Sequence, residues 1–312
     1  MQIYNDLSEI KKDIKTVITL GTFDGIHLGH QKIINRLKEK AVEIGGRNFL
    51  ITFHPHPRKI VSGNSNLKLL TTNEEKTQLL KDAGIENLFV INFTREFSTQ
   101  SPETFVKKYL VDSIGVKEVV IGYNHHFGKG RGGDAQTLKE LGTEFGFSVT
   151  TIDAFRIDDN AVSSTSIRNA LYQGDISLAN QMLGRYYSFS GIVVPGDKRG
   201  RKLGFPTANL KIDDVDKLIP AIGIYVVKCF LNDEIHYGLL SIGRRPTFHN
   251  SGEIVAEVYL FDFNRDIYQN RLTVNVISRL RGEIKFDSAE ELVAQMNKDR
   301  NDGLSIIRNL NN

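Results

Sequence analysis

Between residues 16 and 152, short apolar runs alternate with longer amphipathic stretches. The runs fall at 17–20, 49–53, 88–93, 119–121 and 149–152, and each reads as a strand. Between them, "HQKIINRLKEKAVEIG" and "NEEKTQLLKDAG" space their apolar residues as helices do. The second begins beside Thr72 and Asn73, has acids in its first turn and ends at Gly84, which are helix start and stop signals. Strands alternating with helices of this length require right-handed crossovers and predict a parallel, doubly wound α/β sheet. Ligands of such sheets bind beyond the carboxyl ends of the strands.

From residue 164 the rhythm changes. "STSIRNALYQGDISLANQMLG" (164–184) reads as two helices broken at Gly174. "YYSFSGIVV", "FPTANLKI", "GIYVVKCFL", "EIHYGLLSIG", "EIVAEVYLFDF" and "RLTVNVISRLR" follow as short strands split by turn residues. Closely spaced strands of this kind predict an antiparallel barrel or sandwich, closed here by one terminal helix, "SAEELVAQMNKDRNDGLSII". The break near 184–186 divides the chain into expected domains 1–184 and 185–312. No repeat, low-complexity tract or Pro/Ser-rich linker intervenes, so a tight connection is expected.

Composition narrows the class. The 312 residues, 40% hydrophobic and 25% charged, suffice for two cores at roughly 150 residues each. A formal charge of +3, with acids and bases interleaved, lacks the basic stripe of a nucleic-acid surface and allows only local anion pockets. The single cysteine, Cys229, lies in a strand-like run; it forbids an intrachain disulfide, suits a reducing compartment and reads as a buried small hydrophobe. "MQIYNDLSEIKKD" has no apolar secretory core, and no run approaches the ~20 residues that span a bilayer. The expectation is a soluble, cytoplasmic monomer or weak homo-oligomer acting on small molecules, with neither nucleic acid nor membrane as partner.

Two segments carry candidate chemistry. "GTFDGIHLGHQK" (21–32) sits where the first strand turns into a helix. Gly21 and Gly25 permit close backbone approach, and His27 and His30 share one face of the first helical turn. A helix N-terminus already offers N–H groups and positive dipole to an anion. Two imidazoles added there suit a triphosphate losing pyrophosphate, with Gly29 leaving room for a flat ring. A zinc pair is the rival reading, but it needs a third ligand, and the nearest acid, Asp24, precedes the helix. A pair of capping histidines is the third reading. In the second half, "GIVVPGDKRGRKLGFPTANL" (191–210) places four glycines and four basic residues in twenty positions, which suits a loop wrapping polyphosphate. Thr207 and Asn209 alternate along a strand, so both face one side and offer hard oxygen ligands for Mg²⁺ beside phosphate. An ordinary charged hairpin is the alternative.

"TLGTFDGIHLGHQ" resembles the HxGH signature of the nucleotidyltransferase superfamily, and its flanks are similar to the adenylylation module of bacterial bifunctional riboflavin kinase/FAD synthetases. "TFHPHP" (52–57), "VVIGYNHHFGKGRGGD" (119–134) and "VSSTSIRNAL" (162–171) agree in order. The resemblance implies an HxGH nucleotidyltransferase fold and an ATP site of Gly21, Phe23, His27, Gly29, His30, Ser164, Thr165 and Arg168, with the two histidines catalytic. It also implies a flavin pocket shaped by Phe53, Pro55, His56, Asn124 and Phe127. One departure stands in that pocket: the family's Gly-x-Asp/Asn-Phe-x-Phe-Gly loop has His125 in place of its first aromatic.

Pro206-Thr207-Ala208-Asn209 likewise resembles the signature of the riboflavin kinase module, and "SIGRRPTF", "EVYLFDF" and "LRGEIKF" follow in family order. This implies phosphate contacts from Gly196, Lys198, Arg199, Gly200, Lys202 and Gly204, and Mg²⁺ on Thr207 and Asn209. Glu257 takes the position of the catalytic base, and Arg281 and Glu283 lie on the flavin side. Glu257 read by itself is also a charge on the wet face of a strand. The resemblance spans about residues 14 to 300 and implies two ATP- and Mg²⁺-dependent reactions, riboflavin to FMN and FMN to FAD. Two other readings are a different nucleotidyltransferase with an appended barrel, and a flavin-binding regulator without catalysis.

Overall fold

The five apolar runs of the first half become strands of a single parallel sheet. The computed structural model describes residues 1–63, 66–196, 200, 204–212, 214–244 and 254–310, and the chain divides into two units, Met1–Ser164 and Thr165–Asn312. The first unit contains β1 (Gln2–Tyr4), β2 (Thr16–Leu20), α1 (Leu28–Glu43), β3 (Arg47–His54), α2 (Pro57–Val61), α3 (Asn73–Asp82), β4 (Asn87–Asn92), α4 (Pro102–Phe105), β5 (Val116–Gly122), α5 (Ala135–Phe145) and β6 (Ser148–Ile152). A two-stranded ribbon, β7 (Arg156–Ile157) and β8 (Asn160–Ala161), follows.

The sheet order is β1-β4-β3-β2-β5-β6, with every pairing parallel. From β2 the chain winds outward through β3 and β4 on one side and through β5 and β6 on the other. The winding therefore reverses between β2 and β5, whose carboxyl ends form the crevice where such sheets bind ligands. Successive residues of a strand face opposite sides. Val17, Leu50, Leu88 and Val120 pack against Ile34 and Leu37 of α1 and Leu80 of α3. Ile18, Phe49, Phe89 and Val119 point the other way, onto Phe105, Leu110 and Leu138. Burial on both faces is why these strands read as unbroken apolar runs. The second face is covered by α5 and by α4 with its π-helical continuation, Val106–Ile114.

The second unit opens with α6 (Ser164–Gln173, its first residue still in the first unit) and α7 (Ile176–Leu183). Gly174 separates them at φ 77° and Gly184 ends α7 at φ 69°, left-handed conformations that glycine adopts without a Cβ penalty. Six strands follow: β9 (Tyr187–Val194), β10 (Ala208–Lys211), β11 (Gly223–Leu231), β12 (Glu234–Arg244), β13 (Ile254–Leu260) and β14 (Arg271–Arg281). They close into an antiparallel barrel in the order β10-β13-β12-β11-β14-β9, so the barrel form is the one realised. The terminal helix α8 (Ala289–Leu310) lays Ile307 on Val226, Leu239, Phe261 and Ile277. Cys229 is fully buried in β11, where desolvation pushes its thiol pKa up.

Candidate active sites

The turn leaving β2 is bent against its own preference. Phe23 and Ile26 both hold positive φ, 47° and 39°, around Gly25 at 87°, and non-glycine residues stay there only when their surroundings over-determine them. The buried Asp24 carboxylate supplies that hold, accepting from Leu70 N at 3.0 Å, Thr71 N at 3.0 Å and Thr71 Oγ1 at 3.2 Å. Ser164 Oγ donates to the Asp24 carbonyl at 2.9 Å. Asp24 is thus an anchor of the turn. The zinc reading finds no group of three His, Cys, Asp or Glu side chains among the described residues.

His27 caps α1: its Nδ1 accepts from His30 N at 3.3 Å, which puts the proton of a neutral ring on Nε2. The two imidazoles stack at 3.7 Å between centroids, and Phe23 packs on His30 at 4.9 Å. Gly29 leaves room for this packing: a Cβ there would lie 3.1 Å from His27 Cε1 and press on the ring, and one at Gly21 would lie 3.3 Å from the Phe23 ring. Gly21, Phe23, His27, Gly29, His30 and Ser164 are therefore gathered around one helix N-terminus at the switch point of the sheet. Thr165 and the buried Arg168 continue along α6, past the division between the units.

Aromatic rings line the carboxyl ends of β3 and β4. Phe53 meets Phe93 edge-on at 5.5 Å and Phe97 at 6.1 Å, Phe97 meets Phe105 at 6.1 Å, and Phe105 meets Phe127 at 6.1 Å. Phe93 and Phe97 are absent from the motif reading; their signal is a pair of rings four residues apart directly after a buried strand. His125 stacks on Phe127 at 5.9 Å. Its Nε2 is buried with no hydrogen-bond partner among the described residues, and desolvation first, then His126 and Arg131, lowers its pKa to about 4. Pro55 follows a cis peptide, His56 Nδ1 caps α2 by accepting from Arg58 N at 3.1 Å, and Asn124 is exposed.

Lys76 is also absent from the motif reading. It shares the inner face of α3 with Leu79 and Leu80, three and four residues on, and a lysine on an apolar stripe is the signal that could have found it. Its buried Nζ donates to Thr52 Oγ1 at 3.2 Å and to the Thr22 carbonyl at 3.4 Å. Desolvation lowers its pKa to about 8, against the opposing pull of Asp24.

In the barrel, the ladder between β10 and β13 sets Asn209 directly opposite Glu257. Thr207, just before β10, donates its hydroxyl to Glu257 Oε2 at 3.0 Å. The loop preceding them passes close: a Cβ at Gly196 would lie 2.0 Å from Asn209 Nδ2, and one at Gly200 would lie 2.3 Å from the Phe205 carbonyl. Gly204 holds φ 84°. Lys198, Arg199 and Lys202 lie outside the described residues. A groove of about 470 Å³, within the range of small-molecule pockets, opens beyond β14 between Ile284, Phe286, Gln295 and Lys298. Glu283, exposed, borders it in sequence. Arg281 instead grips the buried Asp299 of α8 with two nitrogens, Nε at 3.0 Å and Nη2 at 2.7 Å.

The family model described as FAD synthetase matches residues 9–166, and the one described as riboflavin kinase matches residues 183–307. The bifunctional riboflavin kinase/FMN adenylyltransferase of Listeria monocytogenes is 40% identical over 93% of this chain and 92% of its own. Its namesake from Bacillus subtilis is 37% identical over 96% and 95%. The chain belongs to the bifunctional riboflavin kinase/FMN adenylyltransferase family. It is an enzyme of flavin cofactor biosynthesis carrying both family domains. A solved Streptococcus pneumoniae structure named as a macrolide-efflux protein shares the fold at a TM-score of 0.88 and 30% identity, covering 96% of this chain and 97% of that one. Its name describes transport; among the described residues here, no helix is long and apolar enough to cross a membrane.

Proposed function

We propose that residues 185–312 phosphorylate riboflavin to FMN and that residues 1–184 adenylate FMN to FAD, each with ATP and Mg²⁺. The observation that carries this reading is the juxtaposition of Thr207, Asn209 and Glu257 across β10 and β13. In the kinase step the ribityl 5′-oxygen attacks the γ-phosphorus, ADP leaves, and Glu257 takes the hydroxyl proton. The Thr207 hydroxyl donates a hydrogen bond to Glu257 Oε2 and keeps its lone pairs for a cation. The Asn209 amide stands beside it under Gly196, a donor set suited to a hard ion. Bound Mg²⁺ would neutralise phosphate charge there. Arg281 shapes the flavin side by fixing α8 along the groove, and Gly196, Gly200, Gly204, Lys198, Arg199 and Lys202 belong to the phosphate loop.

In the adenylylation step an FMN phosphate oxygen attacks the α-phosphorus of ATP in line, and pyrophosphate leaves. His27 and His30 at the α1 N-terminus stabilise the charge that develops by hydrogen bonding, and the bond-making itself needs little beyond positioning. Thr165 and Arg168 are assigned to the ATP phosphates on the family resemblance. The rings from Phe53 to Phe127 form the wall for the isoalloxazine. The partners are ATP, riboflavin and FMN, and the compartment is the cytoplasm. FMN formation from riboflavin, followed across Mg²⁺ concentrations, tests the metal assignment. Wild type should require Mg²⁺, and Asn209→Ala should need markedly more while FAD formation from supplied FMN is unchanged. An unaltered Mg²⁺ requirement in the variant would refute it.

A further inference from the structure

A lysine at the inner end of a helix is an expensive way to close a core. Lys76 is 8% exposed, and burying an ammonium costs several kcal/mol unless its partners restore what water gave. Among the described residues its hydrogen-bond partners are meagre: one threonine hydroxyl and one carbonyl, the latter at 3.4 Å. Methionine would fill the same space with no such cost. What the lysine does reach is informative. Thr52 lies in β3, and Thr22 lies in the positive-φ turn that leads from β2 to His27. Thr52 Oγ1 also donates to the Thr22 carbonyl, at 3.2 Å. The ammonium therefore fastens the turn to the neighbouring strand, while Leu70 and Thr71 hold the same turn through Asp24.

We infer that Lys76 is a positioning residue of the adenylylation site, its buried ammonium holding the Thr22 carbonyl so that the turn delivers His27 and His30 to the nucleotide. This rests on the assignment of residues 21–30 to ATP. The charge matters as well as the length. Asp24 is the charged group of the turn that bears on Lys76, and Thr52 from β3 is uncharged. On its own helix, Glu75 is engaged with Thr72 N at 3.0 Å. A proton lost from Lys76 near pH 8 removes the clamp's charge, and polyphosphate bound at the turn would oppose that loss. The free enzyme should thus lose adenylylation capacity on the alkaline side before the nucleotide-bound enzyme does.

The sign of the pKa shift separates this role from a structural one. A lysine whose folded pKa lies below its ordinary 10.5 destabilises the fold while it stays charged, and stability rises with pH between about 8 and 10.5. Lys76→Met in the full chain should therefore unfold at an equal or higher temperature at pH 7, with riboflavin kinase activity unchanged. Its kcat/KM for ATP in FAD formation should fall about ten- to a hundredfold, the scale of a small misplacement of a reacting group. The wild-type decline in kcat/KM through about pH 8 should be missing in the variant. FAD formation at the wild-type rate, or a loss of FAD formation matched by a loss of thermal stability, would overturn the inference. His30→Ala assayed in parallel keeps the two claims apart. If His30→Ala abolishes FAD formation and Lys76→Met does not, only the clamp fails. If His30→Ala spares it, the site assignment fails.

Discussion

His125 stands where the family loop carries an aromatic, and its environment treats it as one. It stacks on Phe127, and its Nε2 finds no hydrogen-bond partner among the described residues. A buried donor left unmade costs about 1–3 kcal/mol. Because its pKa falls from 6.5 to about 4 in the fold, the unfolded chain binds a proton that the native chain refuses. Stability is therefore lost as pH drops from about 6.5 towards 4. His125→Phe should raise the thermal midpoint at pH 7 and flatten that acid limb; a variant with the same acid limb as wild type would contradict the assignment. At this scale the sequence is most legible where a motif fixes residue types at a spacing, as at His27 and His30, which stack on each other, and at Thr207 and Asn209, which both meet Glu257. It is least legible where a side chain acts from beneath. Lys76 lies outside every motif, inside a helix whose capping box, Thr72 with Glu75, reads as wholly structural.

Elements were legible in proportion to how local their cause is. The buried strands β2 to β5 and the capped helix α3 announce themselves through continuous apolar runs and end signals, whereas β6, at the edge of the sheet, is only partly buried. The three-residue β1 does not, because its place on the edge of β4 comes from a partner far along the chain. Barrel against sandwich was open for the same reason: β9 closes the ring by pairing with both β10 and β14, a non-local choice. The helix α8 is legible in the sequence, but its attachment is not. That attachment rests on Asp299, which accepts from Arg281 and also from Gln295 Nε2 at 2.8 Å. Removing one partner of a buried pair costs about 3–5 kcal/mol, and the Arg281 guanidinium keeps one bond to the Gly282 carbonyl, so the lower end applies. Asp299→Ala should lower the urea midpoint for loss of kinase activity while FAD formation from FMN persists at the same urea. An unchanged midpoint would mean that the ion pair does not hold α8.

On the scale of the whole molecule, the chain joins two folds whose chemistry differs in the phosphorus attacked. A doubly wound sheet exposes a helix N-terminus at its switch point, where a polyphosphate can be gripped. A closed barrel brings residues 207, 209 and 257 together, the groups to which the kinase step is assigned. The central claim is that these are two sites, each with its own residues. The most direct measurement supplies riboflavin and MgATP, or FMN and MgATP, to wild type, Glu257→Gln and His30→Ala, and separates the flavins formed. Wild type should make FMN and then FAD. Glu257→Gln should lose roughly a hundred- to ten-thousand-fold in FMN formation yet convert supplied FMN to FAD normally. His30→Ala should make FMN normally and stop there, with FAD formation down roughly a hundred- to a thousandfold. Loss of both products in either variant while the protein stays folded, or wild-type turnover in both, would contradict the account.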